Sequence, residues 1–244
     1  MENIDQNILM DIRHLQMTFD NIEISSDSNF SIQKQKGYLI TGPYDSANVR
    51  LLSILGGIFP PEPAPGCKCN ILYKGTDLYT SKEKTIKEIK KHIAFIFCEG
   101  AMISNLSIIE NLLLPVSYHF PNYDRTLVLD KIKDDLKYLN IPDILDKRPA
   151  EISFYDRKKL SFIRAALMNP ELVLVDKPFF NLDDYDRDKT VLYLDKLKKN
   201  GSTLIIVSHY LSIIKPLIDE KIILEKGNLV FQKLTGLNEE SNEL

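Results

Sequence analysis

The 244-residue chain has no tryptophan, only ten glycines and three cysteines, and no long apolar run. Each scarcity excludes something. Without a stretch of roughly 18 apolar residues, membrane contact is expected to run through a partner. The first segment, Met1–Asp11, is acidic and polar, unlike a secretory leader. Three cysteines, Cys67, Cys69 and Cys98, do not make a disulfide framework, and Cys67-Lys68-Cys69 lacks the second ligand pair of a zinc site. The expectation is a reduced, cytoplasmic chain with Cys67 and Cys69 on one face of a strand. Ten glycines are about 4% of the chain against a usual 7%, which leaves little material for glycine-dependent loops. A net charge of -3 gives no global basic field, so nucleic acid is not an expected partner.

What is present is a regular alternation. Short apolar runs recur at Tyr38 to Thr41, Ile93 to Phe97, Leu172 to Val175, Leu204 to Val207 and Ile222 to Leu224, and read as buried strands. Between them, Leu129, Ile132, Leu136 and Leu139, then Leu160, Ile163 and Leu167, have helical spacing, and Gly201 is placed to end a helix carrying Val191, Leu194 and Leu197. Strands alternating with helices predict an α/β fold with a mainly parallel sheet. The run from Pro60 to Gly66 interrupts it as a loop leading to a small β element. Residues 105–160 carry no strong strand signal and are expected to form an inserted helical subdomain of a single domain, 1–237, followed by an acidic tail, 238–244.

In such a sheet, ligands sit beyond the carboxyl ends of the strands, so the residues after each apolar run carry the chemistry. Four segments qualify. Ile40-Thr41-Gly42-Pro43-Tyr44-Asp45-Ser46-Ala47-Asn48-Val49-Arg50 runs from strand through turn to helix, the geometry of a phosphate loop. Leu172 to Asp176 is an apolar strand ending in a carboxylate, where a magnesium-associated acid belongs. Leu204 to His209 ends in a histidine, and Phe97-Cys98-Glu99-Gly100-Ala101 forms the fourth. Singly, these also read as a tight turn, a capping aspartate, a surface histidine and a loop.

In this order and spacing, the segments resemble the ATP-binding-cassette ATPases over about Ile12 to Gln232. Within that superfamily, Phe97 to Ala101, Pro149-Ala150-Glu151-Ile152-Ser153 and Asp176-Lys177-Pro178-Phe179 are most similar to the ATPase subunits of Mla and MCE-type phospholipid transporters. The resemblance implies a P-loop fold with an N-terminal antiparallel β element. It places Phe19 against adenine, Gly42 to Arg50 in the Walker A loop with Gly42, Pro43 and Ser46 as surviving elements, and Cys98 at the Q-loop position. Ile152 to Asp156 become the signature, with Ser153 its serine. Leu172 to Lys177 become the Walker B strand, Leu182-Asp183 the D-loop and His209 the switch histidine. It implies ATP and magnesium as ligands, with Asp176 at the metal. It also implies a second cassette, identical or not, and an integral membrane permease that holds the chain at the inner membrane face.

Several positions depart from that pattern. Asp45 and Ala47 replace loop glycines, Asn48 the phosphate-binding lysine and Val49 the metal-binding hydroxyl. Losing one charge contact at about 4 Å, at an effective dielectric near 20, removes on the order of 4 kcal/mol of gross attraction. Even half of that weakens ATP binding by more than about tenfold, and Asp45 is expected to add repulsion. Lys177 stands where a carboxylate orients attacking water, and is expected to neutralise Asp176 and Asp183 instead. Cys98 is a poor magnesium ligand. Phe154 and Tyr155 replace signature glycines. The sequence therefore predicts a transporter cassette with little or no hydrolysis. An active cassette with unusual motifs and a freestanding regulatory protein are the alternatives.

Overall fold

A phase slip in the apolar pattern shapes the first sheet. In β1 (Ile8–Phe19), Met10 and Ile12 are buried, then Leu15 and Met17, so the buried positions change parity midway. Its antiparallel pairing with β2 (Ile22–Gln33) shifts between Ile12 and Leu15, and His14 has a φ of 53° there. A bulge of this kind keeps both halves of a long strand facing the same core. The computed structural model describes residues 6–19, 22–61, 69–225 and 228–234, with the side chains of 19 and 22–24 outside that description.

The chain continues through β3 (Gly37–Thr41), α1 (Asp45–Leu55), β4 (Asn70–Tyr73), β5 (Thr76–Asp77), α2 (Glu83–Lys90) and β6 (Ile93–Ile96). Next come α3 (Ile108–His119), α4 (Arg125–Tyr138) and α5 (Phe154–Leu167). The remaining elements are β7 (Leu172–Asp176), α6 (Asp184–Lys199), β8 (Thr203–Val207), α7 (Leu211–Ile214), β9 (Glu220–Glu225) and β10 (Asn228–Lys233). Helix starts follow their caps. Ser107 and Glu110 form a capping box on α3, Asp124 caps α4, Ser153 caps α5 and Asp183 caps α6.

Among the described residues there are two sheets, ordered β2-β1-β4-β5 and β10-β9-β3-β8-β7-β6. The second is parallel from β9 to β6, with β10 antiparallel at one edge. Its central strands are buried on both faces. In β7, Val173 and Val175 pack with Leu112, Ile132 and Leu160 of the helices, while Leu172 and Leu174 pack with Met10, Ile40 and Leu51 on the other side. This is why their sequences are continuous apolar runs rather than alternations.

The expected small β element is β4 and β5, which joins β1 instead of standing apart. Cys69 precedes β4, so it lies outside the strand; Cys67 and the tail 238–244 fall outside the described residues. Phe97 likewise follows β6 instead of ending it. The segment between β6 and β7 is helical, as expected, and its third helix runs past 160 to Leu167. No helix among the described residues is long and apolar enough to cross a membrane.

Candidate functional site

Register alone gathers the site. Ile40 of β3 and Asp176 of β7 both pair with Val207 of β8, so the residues leaving these three strands emerge along one edge. The structure thereby brings together Gly42 to Asn48, Asp176-Lys177 and Ser208-His209.

Asp45, the first residue of α1, joins all three loops. Its Oδ1 lies 2.7 Å from His209 Nε2, and its Oδ2 pairs with the Lys177 ammonium. Burial raises the Asp45 carboxyl, but the Lys177 bond and the His209 charge outweigh it and hold it below the usual carboxylate range. The same bond raises the Lys177 ammonium above the ordinary lysine range. Lys177 therefore neutralises a different acid from those expected: Asp183 is exposed and caps α6 through the Asp186 N–H at 2.8 Å, and Asp176 reaches Lys177 only through space. Lys177 also adopts a φ of 45°, unusual for a residue with a side chain, and its N–H bonds the Val207 carbonyl at 3.0 Å.

Asn48 is 1% exposed and turns back onto its own loop, donating to the Gly42 carbonyl at 3.3 Å. Its Oδ1 has no partner among the described residues. Gly42 is required by packing, because a Cβ there would lie 2.8 Å from the Leu224 carbonyl oxygen. Val49 packs into the apolar cluster around α1, while Pro43 and Ser46 are exposed. Phe19 ends β1, and its side chain is outside the described residues.

Asp176 is buried. The Cys98 main chain beside it favours the charged carboxylate, yet Oδ1 has no hydrogen-bond partner among the described residues. Burial raises this carboxyl against the opposing charges of Lys158 and Lys177. Burial also pushes the Cys98 thiol up. Lys158 is the residue that sequence reasoning missed. It is fully buried on α5, and its ammonium donates to the main-chain oxygens of Asp176 at 3.1 Å and Phe97 at 3.2 Å. Burial brings its pKa down to about 8. No pattern in the sequence marks it, since lysines on helices are ordinarily solvated.

At the start of α5, the Ser153 hydroxyl proton is committed to one residue. It donates to Asp156 Oδ2 at 2.7 Å and accepts from the Asp156 N–H at 3.0 Å. Phe154 packs against Phe180, at 6.4 Å between ring centroids, and Tyr155 is half exposed beside it. Further along α5, Arg164 donates to the carbonyls of Gly100 and Ala101 at 2.7 and 2.8 Å. Gly100 has a φ of 80°, and a Cβ there would lie 2.7 Å from the Arg157 carbonyl oxygen. Arg164 also floors a groove of about 390 Å³, walled by Asn111, Leu114, Pro115 and Tyr118 of α3.

The same architecture recurs in known proteins. The dimeric ATP-binding cassette MJ0796, solved with ADP and Pi, superposes over 93% of this chain and all of that one, with a TM-score of 0.81 at 21% identity. Methionine import ATP-binding protein MetN of Chlamydia felis is 24% identical over 228 residues, 93% of this chain, which spans 66% of that relative's length. Lipoprotein-releasing system ATP-binding protein LolD of Francisella tularensis is 26% identical over 192 residues, covering 78% of this chain and 80% of the relative. Residues 25–180 match the family model described as ABC transporter, and the chain belongs to that family.

Proposed function

We propose that this chain is a cassette subunit of a membrane transporter that couples or stabilises the assembly without turning over ATP at its own loop. One observation carries the reading: the Asp45 carboxylate lies between Lys177 and His209, where the family resemblance puts the phosphates. The donor set does not suit magnesium and ATP. Asn48 is folded back on Gly42, the half-buried Val49 packs against the core, and no carboxylate stands at position 177 to direct water. Ser153 is committed to Asp156, whose charge opposes a phosphate brought by a second cassette. No hydrolytic step is therefore assigned to these residues.

The groove beside Gly100 and Ala101 supports the coupling part. Leu114 and Tyr118 are exposed there, and Arg164 ties the groove floor to the loop that leads from Asp176's neighbour Cys98. A permease segment at the inner membrane face is the proposed occupant. Residues 105–160 are proposed as the subdomain that presents it, within a single domain 1–237. A lipid cargo rests on resemblance at Phe97 to Ala101, Pro149 to Ser153 and Asp176 to Phe179. Relatives named for methionine and for lipoprotein release match at similar identity.

Magnesium-ATP binding and turnover by the purified membrane assembly, compared with the chain alone, tests the proposal. Silence of the isolated chain is expected, with turnover in the assembly assigned to a partner cassette. Turnover by the chain alone overturns it.

A further inference from the structure

Two loops that follow parallel strands end on the two oxygens of a carboxylate carried by a third. His209, after β8, takes Asp45 Oδ1 at 2.7 Å, and Lys177, after β7, takes Oδ2. Asp45 itself follows β3 and opens α1, whose N-cap residue Tyr44 supplies no side-chain cap. An acid in this first turn is favoured by the helix dipole. We infer that Asp45 is a built-in oxyanion: its carboxylate holds the three loops in the arrangement that a small external oxyanion, such as phosphate, would otherwise impose. The inference rests on the reading of this loop as one that does not hold ATP.

Two features separate this from an ordinary surface ion pair, which contributes little. The carboxylate is shared by two donors from different strands, so it ties loops that have no sequence link to one another. Lys177 also keeps a φ of 45°, and such backbone persists only where surrounding contacts hold it. Those contacts are the Lys177 N–H to Val207 bond at 3.0 Å, the Phe180 N–H to Lys177 carbonyl bond at 3.2 Å and the Asp45 pair. Removing the Asp45 carboxylate leaves an ammonium and an imidazole facing the start of α1 with nothing between them. That is a site for a tetrahedral oxyanion, and it exists only when Asp45 is gone.

The test uses the full chain with Asp45→Ala and Asp45→Asn. Thermal midpoints are measured against inorganic phosphate, with chloride at matched ionic strength as the control. Wild type is expected to show only the general, non-saturating stabilisation that phosphate gives a folded chain over chloride. Asp45→Ala is expected to melt lower in chloride and to regain at least half of the loss in phosphate, along a saturating curve. Adding His209→Gln should remove the recovery. If Asp45→Ala does not fold, Asp45→Asn is judged by the same recovery. A phosphate response equal in wild type and variant, or no recovery in either variant, overturns the built-in oxyanion. That outcome leaves the proposed function standing if wild type still fails to bind magnesium-ATP, whereas ATP turnover by wild type overturns the function however phosphate behaves.

Discussion

The Lys158 ammonium donates to the main-chain oxygen of Asp176 at 3.1 Å, while one oxygen of the Asp176 carboxylate has no partner among the described residues. The two charges interact through space, with no hydrogen bond between the ammonium and the carboxylate. Burial lowers Lys158 from an ordinary 10.5 to about 8. Between those values the unfolded chain binds more protons than the folded one, so Lys158 makes stability rise with pH across that window. Lys158→Met removes this contribution. Relative to the variant, wild type should gain on the order of 3 kcal/mol from pH 8 to 10.5, at about 1.4 kcal/mol per pKa unit. Urea midpoints at several pH values check it, and parallel curves for the two proteins would count against a charged, buried Lys158.

Lys177→Glu tests the loop from the opposite direction. In wild type the lowered Asp45 carboxyl contributes stability above its free value of 3.8, and that contribution is lost as pH falls through the folded value. The substitution sets a second carboxylate against Asp45, so each raises the other's pKa and the pH slope reverses. The variant should melt lower than wild type at neutral pH, by about 2–4 °C for each kcal/mol lost, and close the gap as pH is lowered toward 4. No ATPase activity is expected, because Asn48 and Val49 remain. Turnover from this single change would sink the argument that several positions disable the loop together.

The strands were readable because their chemistry is local. β7 and β8 are buried on both faces, and only continuous apolar runs satisfy that position. Order and spacing also placed Asp45, Asp176, Lys177 and His209 at one sheet edge. What their side chains do there was not readable, since it depends on register: Ile40 and Asp176 share Val207 as neighbour, and this sends Lys177 toward Asp45 instead of Asp183. The buried Lys158 was hidden for a related reason. Its neighbours are backbone oxygens of Phe97 and Asp176, and every residue type carries those.

α4 and α6 are joined by a buried polar contact whose loss is measurable. The Tyr193 hydroxyl donates to Asp135 Oδ2 at 2.9 Å, and Lys196 reaches Oδ1 at 3.3 Å. Both Tyr193 and Asp135 are buried. Tyr193→Phe keeps the ring packed against Phe162 and Tyr138 but leaves the carboxylate short of a donor. A loss of about 1–3 kcal/mol is expected from chemical denaturation. Combining it with Asp135→Ala should cost less than the sum of the two single changes, since each removes the same bond.

The groove on α3 gives the most direct test of coupling. Leu114 is 42% exposed and Tyr118 is 60% exposed, with the Lys87 ammonium 4.4 Å from the Tyr118 ring centroid. Neither side chain is needed to fold the core, so Leu114→Glu should change stability by no more than about 0.5 kcal/mol. At a contact with a permease segment, the same change buries a charge in place of an apolar side chain and should weaken association at least about tenfold. Leu127→Glu, on α4 and 68% exposed, serves as the matched control and should leave association intact. Retention on the membrane assembly during affinity purification reads both. Equal retention of the two variants would remove the groove as the docking surface, because a charge in the centre of a packed contact and one in solvent cannot have the same effect.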